Sequence, residues 1–152
     1  MSVPPQFLDA SSPWFIVYFG LLWLGITGLL AGLSGWSSLA MQWRAHTAPE
    51  GEHFRFASAS IGKSLLPVGY GSCLTITVSD IGLGISILFP FRFMSPPLFI
   101  PWSQVSHVTE GRFLLSKYAV VQPNKHWSRI KLYGKVGAAV IAKSTGRTRG
   151  AA

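Results

Sequence analysis

From Trp14 to Leu33 the chain reads WFIVYFGLLWLGITGLLAGL, and no Asp, Glu, Lys, Arg or His occurs between Asp9 and Arg44. Twenty mostly apolar residues at about 1.5 Å each span roughly 30 Å, the thickness of a bilayer's hydrocarbon core. Trp14 and Tyr18 stand at one margin, and Trp36 and Trp43 lie past the other. Amphipathic rings at both margins form an aromatic belt, so these four are the expected interfacial anchors. A soluble chain of this length can hardly enclose such a helix. A cleaved signal peptide is not expected either, because MSVPPQFLDASS lacks a basic n-region. The pattern therefore predicts one transmembrane helix over 14–33 behind an extended leader, 1–13.

Inside that helix Gly25, Gly28, Gly32 and Gly35 recur at spacings of three and four, which puts them on one face. Gly28 and Gly32 make a GxxxG pair, a notch that lets another helix approach closely. Next, Trp36, Leu39, Ala40 and Trp43 recur at helical spacing, with Ser37, Ser38 and Gln42 elsewhere. This predicts an amphipathic helix over 34–45, either lying on the membrane surface or continuing the first helix into water. A polar linker, HTAPEGE, covers 46–52.

At His53 the period changes from helical to two. HFRFASAS alternates Phe54 and Phe56 against Arg55 and Ala57. After a loop over 61–72, CLTITVS and LGISILF alternate cleanly and flank Asp80-Ile81-Gly82, where Gly82 suits a left-handed turn residue. LFIPW follows, with Pro101 marking an edge strand or a bulge. QVSHVTEG, RFLLSKYAVVQ and SRIKLYG give three more strands, and KVGAAVIAK over 135–143 has helical character. Leu74, Ile76, Val78, Ile85, Ile87, Ile100 and Trp102 are the expected inward-facing residues. Antiparallel strands with one late helix predict a small barrel or sandwich whose open end the helix covers. The chain is thus a mainly β, α+β protein: an N-terminal membrane helix, a β domain over 53–143 and a small basic disordered tail, 144–152.

Charge adds orientation. The chain carries 13 Lys and Arg against 5 Asp and Glu, a net charge of +8. Every Lys and Arg follows the apolar helix, and Asp9 is the one charge before it. The positive-inside rule then places the N-terminus outside and the β domain in the cytoplasm. Such a balance suits anionic lipid, an acidic protein or nucleic acid. The sequence contains no helix-turn-helix, zinc-finger or RNP pattern, so no nucleic-acid partner is expected. Charged residues are only 12%, about half the usual share, which suits a surface covered by lipid or partners.

CLTITVSDIGLGISILF followed by PPLFIPWSQV resembles bacterial pleckstrin-homology-like domains, in the Gly-Leu hairpin and the Ile-Pro-Trp-Ser strand. The segment GWSSLAMQWR beside such a domain is similar to a group of small bacterial single-pass membrane proteins. The likeness spans 36–143. It implies seven strands in two near-orthogonal sheets, a capping C-terminal helix, and a platform that binds lipid or protein without catalysing a reaction. Lipid-reading members carry several basic residues around the first hairpin loop. Here Ile61 to Ser72 offers Lys63 alone, which argues against specific phosphoinositide binding.

Catalytic patterns are weak. SIGKS lacks the leading glycine of a Walker loop, since Ala57 stands at that position. His46, His53, His107 and His126 are scattered and Cys73 is the single cysteine, so neither a metal centre nor a disulfide is expected. The apolar helix contains no His to ligate a haem. Ser103, His107 and Glu110 do not form a triad, because alternation sends Ser103 and Glu110 to opposite faces. No enzyme and no cofactor are expected. Phe91, Arg92, Phe93 and Met94, in a Pro-bracketed loop, are either core or a surface for lipid or a partner. Arg129, Lys131 and Lys135 form a basic surface or ordinary solvated charge. The expected role is a membrane-anchored accessory subunit docked on a larger membrane complex, such as a respiratory or photosynthetic assembly. The alternative is a lone module that binds anionic headgroups.

Overall fold

The computed structural model describes residues 12–47, 49–63, 65–89, 92 and 95–150. The apolar stretch forms α1 (Pro13–Leu33), with Pro13 in its first turn and Ser12 as its N-cap residue. Pro suits that position because its missing N–H has no helical partner there anyway. α1 is long and apolar enough to cross a membrane. Ala31 is its one buried residue. A turn at Ser34-Gly35 leads into α2 (Trp36–Trp43).

Seven strands follow: β1 (Glu52–Lys63), β2 (Leu66–Val78), β3 (Gly82–Ile87), β4 (Leu98–Pro101), β5 (Val105–Phe113), β6 (Ser116–Pro123) and β7 (Arg129–Tyr133). They make one antiparallel sheet in the order β4-β3-β2-β1-β7-β6-β5, curled into a half-barrel. The curl begins where β1 changes register between Phe54 and Ala59. There Phe56 on β1 and Ser72 on β2, which lies across from Ser58, take left-handed backbones with φ of 55° and 51°. Below the bend β1 pairs with β2 and β7, and above it β2 pairs with β3. α3 (Gly134–Gly150) then packs across the open side.

Alternating residues fill the interior. Leu74, Ile76, Val78, Ile85, Ile87, Ile100 and Trp102 are all buried, as their alternation requires. Ile61, Ile130, Leu132 and Val121 join them, with Val136 and Val140 from α3. The apolar stripe of α2 belongs to this same core. Pro101 sits in β4, an edge strand, where a missing ladder donor is tolerated.

The structure departs from the sequence pattern in five places. The segment expected as a loop, 61–72, is a hairpin that extends β1 and β2 as far as the Lys63–Leu66 pair. Leu66 to Tyr70 pairs with β1 alone, so Pro67 and the glycines cost this edge few ladder bonds. RFLLSKYAVVQ divides at Leu114-Leu115 into the end of β5 and the start of β6. Phe54 and Phe56 do not share a face: the bulge turns Phe56 out and Ala57 in. Gly82 is not left-handed; it is required because a Cβ there would lie 2.6 Å from Ile100 O and from the Phe99 ring. Finally, α3 begins at Gly134 and continues past Lys143 through the small basic stretch to Gly150.

Candidate interaction surfaces

The junction between α1 and α2 is built from small residues. Ser34 is buried, and its N–H donates to Leu30 O at 2.9 Å. Its hydroxyl receives the Tyr70 hydroxyl at 3.0 Å and donates to Ala31 O at 3.1 Å. Ser128 Oγ donates to Ser34 O at 3.4 Å. Gly35 has φ of 72°, and a Cβ there would lie 2.6 Å from Ser128 Oγ and Trp127 Cζ2. Only glycine fits a left-handed corner packed this closely. Burial raises the Tyr70 hydroxyl above its ordinary pKa, with the Ser34 bond opposing that shift.

α2 then locks onto the half-barrel. Trp36 Nε1 donates to Pro96 O at 2.9 Å, and its ring lies 5.6 Å from Tyr70. His126 reaches Ser38 Oγ at 3.2 Å and meets Trp43 edge-on at 5.8 Å. Ala45 N–H donates to Pro97 O at 2.8 Å. Trp36 is 0% exposed and Trp43 6%. The expectation that these two anchor the chain in the membrane interface is therefore corrected: an amphipathic stripe needs an apolar surface, and the half-barrel supplies it. Trp14 and Tyr18, on α1, are both exposed.

The glycine face is only partly as expected. Gly25, Gly28 and Gly32 lie on α1, and a Cβ at Gly25 or Gly32 would meet nothing within 4 Å. Gly35 leaves this face at the corner, where its spacing reflects the turn and not a helix contact. Just below the corner, Gly32, Leu33, Lys63, Pro67, Val68 and Trp127 line a groove of about 490 Å³. The Lys63 ammonium sits 5.0 Å from the Trp127 ring centroid, a cation–π contact. Leu65, at the β1–β2 tip, is 92% exposed.

Phe91, Phe93 and Met94 lie outside the described residues. Arg92 is exposed and borders a polar pocket of about 180 Å³ with His46, Thr47, Thr75, Thr77 and Ser86. Beside it His53 Nδ1 lies 2.8 Å from Thr77 Oγ1. Arg129, Lys131 and Lys135 do not form one patch. Arg129 pairs with Gly62 near the β1–β2 tip, Lys131 covers the Tyr118 ring at 4.4 Å, and Lys135 lies in the first turn of α3 at the opposite end.

That opposite end carries a surface the sequence pattern does not reveal. Phe56 is 68% exposed, Phe113 68%, Leu114 83% and Leu115 98%. Phe54, Phe56, Phe113, Leu114, Tyr133 and Lys135 border a groove of about 520 Å³. The only available signal was FLL within RFLLSK, which reads as strand interior and not as a turn.

Among the described residues no group of three His, Cys, Asp or Glu is placed to hold a metal ion. Cys73 is half-buried, and burial pushes its thiol up, away from the reactive thiolate. No family model matches the chain, and neither a curated protein nor a solved structure does.

Proposed function

We propose that the chain is a non-enzymatic, membrane-anchored accessory subunit, whose pleckstrin-homology-like half-barrel is carried on one transmembrane helix and docks on a larger membrane complex. The observation that carries this reading is α1: it is long and apolar enough to span a bilayer, and Ala31 alone is buried. Such a helix needs either lipid or another helix on all its sides, and the open positions at Gly25 and Gly32 offer close backbone approach. α1 crosses a bacterial inner membrane with its N-terminus outside and the half-barrel in the cytoplasm, as the placement of every Lys and Arg after the helix favours.

A second reading rests on the groove between Leu33 and the β1–β2 tip. Its site at the end of α1, with Lys63 beside Trp127 and Leu65 exposed, suits contact with anionic headgroups. The two readings separate on extraction in mild detergent followed by native sizing and mass spectrometry. The accessory reading expects a stable assembly with stoichiometric membrane-protein partners. A lone monomer that floats with anionic vesicles would support the lipid module instead.

A further inference from the structure

We infer that the end of the half-barrel furthest from α1 is a docking surface for an acidic protein surface bearing apolar side chains. The inference rests on the accessory-subunit reading and names the contact that reading leaves open.

Gly32 and Leu33 of α1 lie beside Pro67 and Val68 of β2, and one step on, Ser34 and Trp36 lie beside Tyr70. β2 therefore runs in the sense in which the chain leaves α1, and the β1–β2 tip points back toward the membrane. β1 is antiparallel to β2, so Phe56 lies away from the membrane by seven residues from Lys63, about 23 Å at roughly 3.3 Å per residue. β7 and β6 carry the same level across the sheet: Leu132 pairs with Ala59, and Tyr118 with Tyr133. The β5–β6 tip, Phe113 to Ser116, continues beyond Tyr118. Phe113, Leu114 and Leu115 thus face the aqueous compartment and not the bilayer that holds α1.

Four large apolar side chains, each at least 68% exposed, converge on one end. Two of them, Phe56 and Leu114, sit on left-handed backbones with φ of 55° and 54°. Large L side chains rarely adopt that conformation, and it tends to persist at functional sites. Arg55, Arg112 and Lys135 are exposed at the same end. Glu110, the carboxylate on the β5–β6 hairpin, is already bound to Lys117 at 3.2 Å. Exposed phenylalanines with arginines beside them are residue types in which protein interfaces are enriched. A second copy is a poor occupant, because it would bring the same cations and a net charge of +8.

The test uses the full chain in its own membrane, with a photo-crosslinking benzoylphenylalanine at Leu115 and, separately, at Leu65. The Leu115 probe should give protein adducts whose sequenced peptides carry Asp or Glu beside the linked residue. Combining Arg55→Glu, Arg112→Glu and Lys135→Glu should lower their yield at least about tenfold, as should high salt. Circular dichroism melts check that the variants still fold, and Leu115→Ser alone with a probe at Leu114 provides a mild second variant. Adducts to lipid, adducts to a second copy, or protein adducts indifferent to charge reversal would each overturn the inference. If Leu115 gives none while native sizing still shows a larger assembly, the docking surface is wrong and the accessory reading stands. A chain that sizes as a monomer removes both.

Discussion

Ser128 N–H donates to His126 Nδ1 at 3.1 Å, so that nitrogen must be unprotonated and the proton must sit on Nε2, facing Ser38 Oγ at 3.2 Å. Trp127 stacks on the same ring at 5.5 Å, and Trp43 meets it from α2. Burial lowers the His126 pKa from its ordinary 6.5. The unfolded chain therefore binds the proton more readily than the folded one, and the stabilising contribution is complete above the ordinary value and declines as pH falls through it. Melting temperature in detergent should drop as pH falls below the ordinary 6.5, and His126→Gln should flatten that dependence relative to the parent chain. Equal slopes for the two would show that His126 does not link α2 to the half-barrel. None of this is visible in the sequence, where His126 is one of four scattered histidines. Leu114 and Phe56 were equally illegible. A two-residue hairpin loop ordinarily announces itself with Gly, Asn or Asp, and a bulge that turns a Phe outward breaks the alternation on which strand faces are read.

At the scale of elements, legibility followed periodicity. CLTITVS and LGISILF alternate strictly, and their inward residues are buried as alternation demands. α2 was readable as a helix but not in its placement, because an apolar stripe suits a lipid surface and a protein core alike; only the tertiary contacts of Trp36 and Trp43 decide between them. The hairpin over 61–72 was hidden by Pro67 and the glycines, which an edge strand tolerates. For α1 the remaining question is the glycine face. Gly28→Ile with Gly32→Ile should fill the notch and abolish recovery of native partners, while Leu22→Ile with Leu29→Ile leaves recovery unchanged. Both pairs still insert, since isoleucine is at least as apolar as glycine. Equal recovery from the two variants would remove the glycine face as a contact and leave the half-barrel to hold the partner alone.

Over the whole molecule, the strand count and the single covering helix could be read in advance, but the order β4-β3-β2-β1-β7-β6-β5 could not. Pairing of β1 with β7 joins residues far apart in the chain, and no local pattern encodes it. Orientation across the membrane rests on charge placement, and it can be tested directly. In a Cys73→Ser background, an impermeant thiol reagent applied to intact cells should label a cysteine placed at Ser2 and spare one at Ser144. The reverse labelling would overturn the topology and put the far end of the half-barrel in the periplasm.

The corner at Ser34-Gly35 has a mechanical consequence. Its hydroxyl bonds, the Trp127 ring against Gly35 and the buried stripe of α2 tie the end of the helix to the half-barrel. With α1 in a bilayer, as proposed, the two would tilt together about the headgroup region. A helix that tilts by about 20° to fit a thinner bilayer would swing Phe56, ~23 Å from Lys63 along β1, sideways by roughly 8 Å. Bilayer thickness would in this way set the reach of the far end of the half-barrel.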